Sequence, residues 1–395
     1  MRTVTVVGAS LAGLSAARAL RAHGYDGRIE IVGAERHRPY DRPPLSKEFL
    51  AGAVAADELT LEDADDEALD LHWRLGRSAV RLEPATRAVL LDTGERLVSD
   101  GVIVATGARA RQLPGRRLAG VHTLRTLDDA LGLRAELRPG ARLVVIGAGF
   151  IGAEVASTAR TLGAEVTVVE AAATPLAGPL GEEMGNVCAA LHAEHGVRLI
   201  TGAVGTQPVG ERVVRAVRLA DGTELPADVV VAGIGSVPCV EWLAGSGLHI
   251  NGGVLTDERC ATVLPGVVAT GDCAVSASGD AGTWLRAEHW THAQQQPAVA
   301  AATLLGRDHR PPPLAAVPYF WSDQYGVRLQ FAGQRRPGDR VEVTEGDLGS
   351  RRFVAVYRRG GGAAARAVAV LALNHSKPFA RWRRELARSH APVSA

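Results

Sequence analysis

Residues 143–156 read LVVIGAGFIGAEVA. An apolar run ends in glycine, G-x-G-x-x-G follows, and a small-residue stretch with helical spacing comes next. The pattern predicts a buried strand, a tight turn and an amphipathic helix. Gly147 permits the turn, Gly149 lets backbone approach a pyrophosphate, and Gly152 lets the helix pack closely. Phe150 and Ile151 open the helix whose amides face the phosphates. Glu170 ends the next predicted strand, EVTVVE (165–170), where a carboxylate accepts from a ribose 2′-hydroxyl and repels a 2′-phosphate. This spacing favours NADH over NADPH, with Gly235 at the end of a later strand in the same unit.

The grammar occurs twice. Residues 4–17, VTVVGASLAGLSAA, repeat the strand, glycine turn and helix, with Gly8, Ser10 and Gly13 at the three turn positions. A serine β-carbon tolerates fewer geometries than glycine beside a phosphate, although its hydroxyl can donate to one. Downstream, DTGERLVSDGVIVATG (92–107) matches ADGTELPADVVVAGIG (220–235), and Asp100 and Asp228 hold equivalent places. After the second strand, IEIVGAE, the acidic position falls on Ala34 or one residue late on Glu35, which is either a ribose ligand or a solvated glutamate. Ala105, Thr106 and Gly107, and the TGD turn with Gly271 and Asp272, add turns where a nucleotide can lie. The strand LPGVVATGDCA (264–274) is left over and is expected to return the chain to the first domain. After the prolines of RPPPLAAVP (310–318), short strands alternate with turns before a charged helix.

The bulk numbers narrow the function classes. A chain of 395 residues exceeds what one core usually organises. With 46% hydrophobic and 22% charged residues, the composition is that of a globular protein. A formal charge of +1 gives no global field toward nucleic acid or an anionic membrane. No apolar run of about 18 residues is present, and TVTVVGAS follows Met1 almost at once, so a cytoplasmic protein without a cleavable signal is expected. Cys188, Cys239, Cys260 and Cys273 are scattered, with no C-x-x-C pair. His192 and His195, like His289 and His292, are spaced i, i+3 without an evident third ligand, so no metal site is expected. Lys47 and Lys377 are the only lysines among 44 basic residues. Lys47 closes RPYDRPPLSK (38–47), where two prolines stiffen the loop that presents it.

Taken together, VVGASLAG, RPYDRPPLSK, ATG, LRTLDDA, VVIGAGFIGAEVA, ADVVVAGIG, ATGDCA and FWSDQYG resemble the FAD-dependent ferredoxin reductases nearly end to end. That family includes putidaredoxin and rubredoxin reductases and the reductase components of aromatic-ring dioxygenases. The resemblance implies an α/β fold: two Rossmann-like, glutathione-reductase-like dinucleotide-binding domains and a small C-terminal α+β domain. The expected boundaries are 1–110 with 236–312 for FAD, 111–235 for NAD, and 313–395 for the third domain. It implies FAD contacts at Ala12, Gly13, Lys47, Val80, Arg125, Asp272 and Trp290, while the family's usual aspartate is Ala34 here.

The activity implied is hydride transfer from NADH to FAD, then single electrons to a [2Fe-2S] ferredoxin feeding a cytochrome P450 or a Rieske ring-hydroxylating dioxygenase. A monomer or weak dimer is expected. Glu154 is read as lying in the first turn of its helix, a natural carboxylate position. The resemblance suggests that it pairs with Lys47 beside the flavin; the alternative is a surface lysine and a helix-start glutamate. Trp321 either packs on the isoalloxazine or belongs to the core. Paired arginines such as Arg335-Arg336 and Arg351-Arg352 either attract an acidic ferredoxin or are solvated surface. Two rivals stay open. One is an NADH oxidase or peroxidase, whose redox cysteine has no counterpart before Cys188; the other is a flavoprotein that signals through binding.

Overall fold

The computed structural model describes residues 1–277, 284–307, 317–362 and 365–390. Seven α-helices fall among them: α1 (Leu11–Ala22), α2 (Glu48–Ala51), α3 (Leu127–Glu136), α4 (Phe150–Thr161), α5 (Ala177–Glu194), α6 (Trp290–Leu304) and α7 (Ser376–His390). None is long and apolar enough to cross a membrane. The chain divides into two compact units. One comprises Met1–Asp41, Thr60–Arg109 and Val237–Pro318; the other comprises Arg42–Leu59, Ala110–Ser236 and Tyr319–Ala395.

In the first unit, five parallel strands run in the order Val267–Ala269, Gly101–Val104, Thr3–Val7, Arg28–Gly33, Leu71–Leu75. Their valine- and isoleucine-rich runs suit a sheet buried on both faces. Leu14 and Leu20 of α1 are fully buried, and α1 packs against α6. The expected return strand is present, since Val267–Ala269 takes the edge of this sheet.

The second unit repeats the arrangement with Arg198–Ile200, Glu165–Val169, Arg142–Ile146, Val229–Ala232 and Val121–His122, all parallel. Asp100 and Asp228 do the same work in the two sheets. Asp100 accepts from the backbone N–H of Arg2 and Thr3, and Asp228 from that of Arg142, so each carboxylate caps the start of the central strand of its sheet.

The C-terminal region forms a five-stranded antiparallel sheet in the order Tyr319–Gln324, Val327–Gly333, Arg366–Leu373, Arg352–Arg359, Arg340–Asp347. Leu180, Met184, Cys188 and Leu191 of α5 share a core with Phe331, Phe353 and Leu371 of this sheet, so it belongs to the second unit. The expected boundary at 312/313 lies outside the described residues. Residues 42–59, counted with the first domain in the sequence, also lie in the second unit. The physical reason is α2: Phe49 and Leu50 are buried, and the Arg134 guanidinium of α3 stands over the Phe49 ring.

Candidate dinucleotide sites and the Glu154 cluster

The two glycine turns are built alike. A β-carbon at Gly8 would sit 2.0 Å from the Ala105 carbonyl oxygen, and one at Gly147 would sit 2.3 Å from that of Gly233. Both residues have positive φ, 128° and 102°, so side chains are excluded twice over. A β-carbon at Gly13 would meet the Gly8 carbonyl at 1.8 Å, and one at Gly152 would meet the Gly147 carbonyl at 2.0 Å. The first and third glycines are therefore required by the protein's own backbone.

The middle position behaves differently. Gly149 has φ −72°, which any residue adopts, and a β-carbon there meets nothing within 4 Å. The protein leaves this space open above the start of α4. Ser10, its counterpart, has φ −120°, and its side chain does not cap α1. Neither helix carries an acidic residue in its own first turn, although Glu170 accepts from the Ala148 N–H just before α4. An open cradle at a helix start, where backbone N–H groups point outward, fits a pyrophosphate.

In the first unit the structure brings several sequence-predicted residues together. Gly8 touches Ala105, and a β-carbon at Gly271 would lie 3.0 Å from that of Ala12, so the ATG and TGD turns both abut the start of α1. Thr106 donates to the Cys239 carbonyl at 2.7 Å, which fixes the turn before Gly107. Asp272 lies in the short turn Gly271–Cys273, and Gln296 of α6 accepts from the Gly271 N–H at 2.7 Å. Trp290, the first residue of α6, donates its indole N–H to Asp41 at 2.7 Å. The Glu35 carboxylate accepts from the Tyr40 hydroxyl, and Ala34 is exposed. Val80, on the strand Ala79–Glu83, is 46% exposed.

In the second unit Glu170 reaches back to the turn. Its two oxygens accept from the Ala148 N–H at 2.7 Å and the Ala172 N–H at 2.8 Å. A carboxylate offers about four lone-pair positions, so it retains capacity for ribose hydroxyls. Gly235 has φ 96° and accepts from the Arg111 N–H. The Phe150 ring lies 4.7 Å from that of Phe320, so this side chain serves the core while its backbone opens α4. Ile151 is 46% exposed. Arg125 precedes α3, where Thr126 and Asp129 form a reciprocal capping box and the Arg125 N–H donates to Asp129. Trp321 stacks on Tyr319 with ring centroids 5.9 Å apart.

Lys47 and Glu154 meet. The ammonium lies 2.9 Å from Glu154 Oε2, with the side chains 12% and 3% exposed. Glu154 is the fifth residue of α4 and begins the second turn. The first-turn placement expected from the sequence is thus corrected, because the helix starts at Phe150 and leaves its first turn to small and apolar residues. Side chains rather than the dipole meet the carboxylate. Ser46 donates to Oε2 beside Lys47, and Ser322 of the C-terminal sheet donates to Oε1 at 2.7 Å. The sequence reading missed both serines, along with Thr158, which donates to the Ser46 carbonyl at 2.8 Å. Removing one partner of such a buried pair costs about 3–5 kcal/mol when the charge left behind stays dry.

Cys188, Cys260 and His192 are buried. All four cysteines are free, and burial pushes the Cys188 and Cys260 thiols up to about 12. His192 bonds through Nδ1 to the Tyr325 hydroxyl at 2.7 Å, and burial lowers it to about 4.

Residues 2–297 match the family described as pyridine nucleotide-disulphide oxidoreductase, and residues 319–395 match the reductase C-terminal family. The chain belongs to the pyridine nucleotide-disulphide oxidoreductases, which makes it an oxidoreductase using FAD and NAD(H). Within that class it is similar to the ferredoxin–NAD(+) reductase component of the biphenyl dioxygenase system of Paraburkholderia xenovorans. The two are 40% identical over 359 residues, which cover 90% of this chain and 86% of the relative. Putidaredoxin reductase of Pseudomonas putida is 37% identical over 90% of this chain and 86% of its own. Among solved structures, the covalent putidaredoxin reductase–putidaredoxin complex matches with a TM-score of 0.89 and 35% identity, over 98% of this chain and 93% of that one.

Proposed function

We propose that this protein is an NADH-dependent ferredoxin reductase of the cytoplasm, serving a [2Fe-2S] ferredoxin that feeds a cytochrome P450 or a Rieske dioxygenase. The observation that carries the reading is the pair of complete dinucleotide turns in one chain with no cysteine before Cys188. The names of the relatives at 37–40% identity support the ferredoxin as acceptor. Bound FAD supplies the conversion of a two-electron hydride into single electrons. The chain supplies binding and charge.

The proposed FAD set is Gly8, Ser10, Ala12, Gly13, Glu35, Lys47, Val80, Ala105, Thr106, Gly107, Arg125, Gly271, Asp272, Trp290 and Trp321. The proposed NADH set is Gly147, Gly149, Phe150, Ile151, Gly152, Glu170 and Gly235. In this division of labour, residues 1–110 with 236–312 serve FAD, 111–235 serve NADH, and 313–395 complete the protein. Backbone amides at the start of α4 take the pyrophosphate, and Glu170 takes ribose hydroxyls and repels a 2′-phosphate. Lys47 is the charged group of the reaction site, held in place by Glu154.

The test is reconstitution. FAD-loaded protein, NADH, a [2Fe-2S] ferredoxin and cytochrome c are combined, and cytochrome c reduction is expected only when the ferredoxin is present. Rapid oxygen consumption without ferredoxin supports an NADH oxidase instead. In single-turnover stopped flow, Lys47→Met is expected to slow reduction by NADH about tenfold, or ~1.4 kcal/mol of barrier. An unchanged rate removes Lys47 from the mechanism.

A further inference from the structure

We propose that Ser322 is a positioning residue, fixing Glu154 and through it Lys47; its bearing on hydride transfer rests on the function proposed above. Ser322 sits on the strand Tyr319–Gln324 with none of its surface exposed, and its cross-strand neighbour is Leu329, itself buried. A hydroxyl in such surroundings needs a partner. Its partner is Glu154 Oε1 at 2.7 Å, on α4, 168 positions away in sequence.

The direction of each bond follows from chemistry. A carboxylate only accepts, so Ser322 donates to it. Gln324 Nε2 donates to Ser322 Oγ at 3.3 Å, which commits the hydroxyl proton to Glu154. The other oxygen, Oε2, takes Ser46 and Lys47, and Thr158 holds the Ser46 carbonyl. Both oxygens are thus pinned from different segments: Oε2 by the proline loop and Oε1 by the C-terminal sheet. Lys47 alone leaves Glu154 free to turn about its last torsion, a broad and soft rotation. With Ser322 in place, the carboxylate has one orientation, and the ammonium that follows it has one position. The C-terminal sheet thereby bears on the position of Lys47 through the Ser322 hydroxyl.

The chain's two lysines make this measurable without turnover. In protein carrying lysine labelled with carbon-13 at Cε, a carbon–proton correlation spectrum shows Lys47 and Lys377. Lys47→Met assigns the signals, and Glu154→Gln gives the position of a Lys47 whose partner has lost its charge. Ser322→Ala is expected to move the Lys47 signal part of the way toward that position while Lys377 stays in place. In the holoenzyme it is expected to slow single-turnover reduction by NADH about threefold to tenfold.

Gln324→Met keeps the serine but removes the donor that orients it. It is the second variant should Ser322→Ala fail to fold, and its Lys47 signal is expected to move in the same direction by less. A Lys47 signal in the folded variant that superimposes on that of the unaltered protein overturns the proposal, and so does a displaced signal with an unchanged rate. If the unaltered holoenzyme is not reduced by NADH, the function proposed above fails, and the spectra alone still decide whether Ser322 positions Lys47.

Discussion

The two glycine turns are near-copies in backbone and opposites in chemistry. Gly8 and Gly147 both face a carbonyl from the neighbouring strand end, and Gly13 and Gly152 both lie on the carbonyl of the first glycine. At the middle position one turn has serine and the other glycine, and neither backbone needs glycine there. The outer glycines therefore belong to the fold, and the middle one is left to the nucleotide that the proposed function places there. The carboxylates divide in the same way. Glu170 is tied to the Ala148 amide of its own turn, whereas Glu35 accepts from Tyr40 and stands one residue beyond Ala34. A fold used twice has kept its scaffold and changed its contacts.

The largest effects should come from breaking what the turns share. Gly8→Ala and Gly147→Ala each force a β-carbon to within 2.0–2.3 Å of a backbone oxygen at positive φ. Overpacking alone costs about 1–3 kcal/mol, and the left-handed backbone adds roughly 1–2. Both variants are expected to melt several degrees below the unaltered protein. Gly8→Ala should purify with little flavin absorbance, and Gly147→Ala should keep its flavin but bind NADH poorly. Equal melting temperatures in all three proteins would break the comparison.

Next in size is Glu170. Its alanine variant loses two amide hydrogen bonds within the protein and, in the proposed function, the acceptor for ribose hydroxyls and the repulsion of a 2′-phosphate. At about 1.5–3 kcal/mol for a hydrogen bond to a charged group, loss of the ribose contact is expected to raise the KM for NADH at least tenfold with kcat little changed. The preference for NADH over NADPH should shrink with it. Steady-state kinetics with both nucleotides measure this, and an unchanged preference removes Glu170 from selection.

The doubled turn was legible in the sequence because each part of it is local: strand, glycines and helix follow one another within about twenty residues, each with its own periodicity. The ion pair of Lys47 and Glu154 was legible only through resemblance, since nothing local joins residues 107 positions apart. Ser46 and Ser322 were not read at all. Ser322 and Gln324 alternate along a strand and are both buried, and polar residues buried at successive positions of one strand face are the signal that marks a distant partner. The position of Glu154 was misjudged by one residue because the helix start, at Phe150, depends on where the turn ends.

Buried imidazoles separate the two units by a smaller margin. In the first unit burial lowers His289, and it lowers His292 to about 4, with the neighbouring His289 adding to the effect; in the second unit burial lowers His192 to about 4. Each of these folded values lies below the ordinary 6.5, so the unfolded chain binds more protons between about pH 6.5 and pH 4. Stability contributed by the neutral rings is complete above that window and is lost as pH falls through it. Thermal unfolding followed between pH 7 and 4.5 should show this loss, and His292→Asn and His192→Asn should each flatten it. A slope unaffected by either substitution would falsify the assignment.

The smallest expected effect on the fold is the sharpest test of the comparison. Gly149→Ser gives the second turn the residue of the first. Its φ of −72° accepts serine, and the β-carbon meets nothing within 4 Å, so the melting temperature should stay within about 2 °C. In the proposed function NADH shares that space, and its Kd is expected to rise about tenfold, or ~1.4 kcal/mol, read by titration of the holoenzyme. The converse change, Ser10→Gly, removes a side chain that the first turn accommodates at φ −120°. It should leave flavin content unchanged and loosen flavin retention in dilution by a few-fold at most. If Gly149→Ser instead melts early while binding NADH normally, the middle glycine belongs to the fold, and the two turns differ in scaffold rather than in ligand.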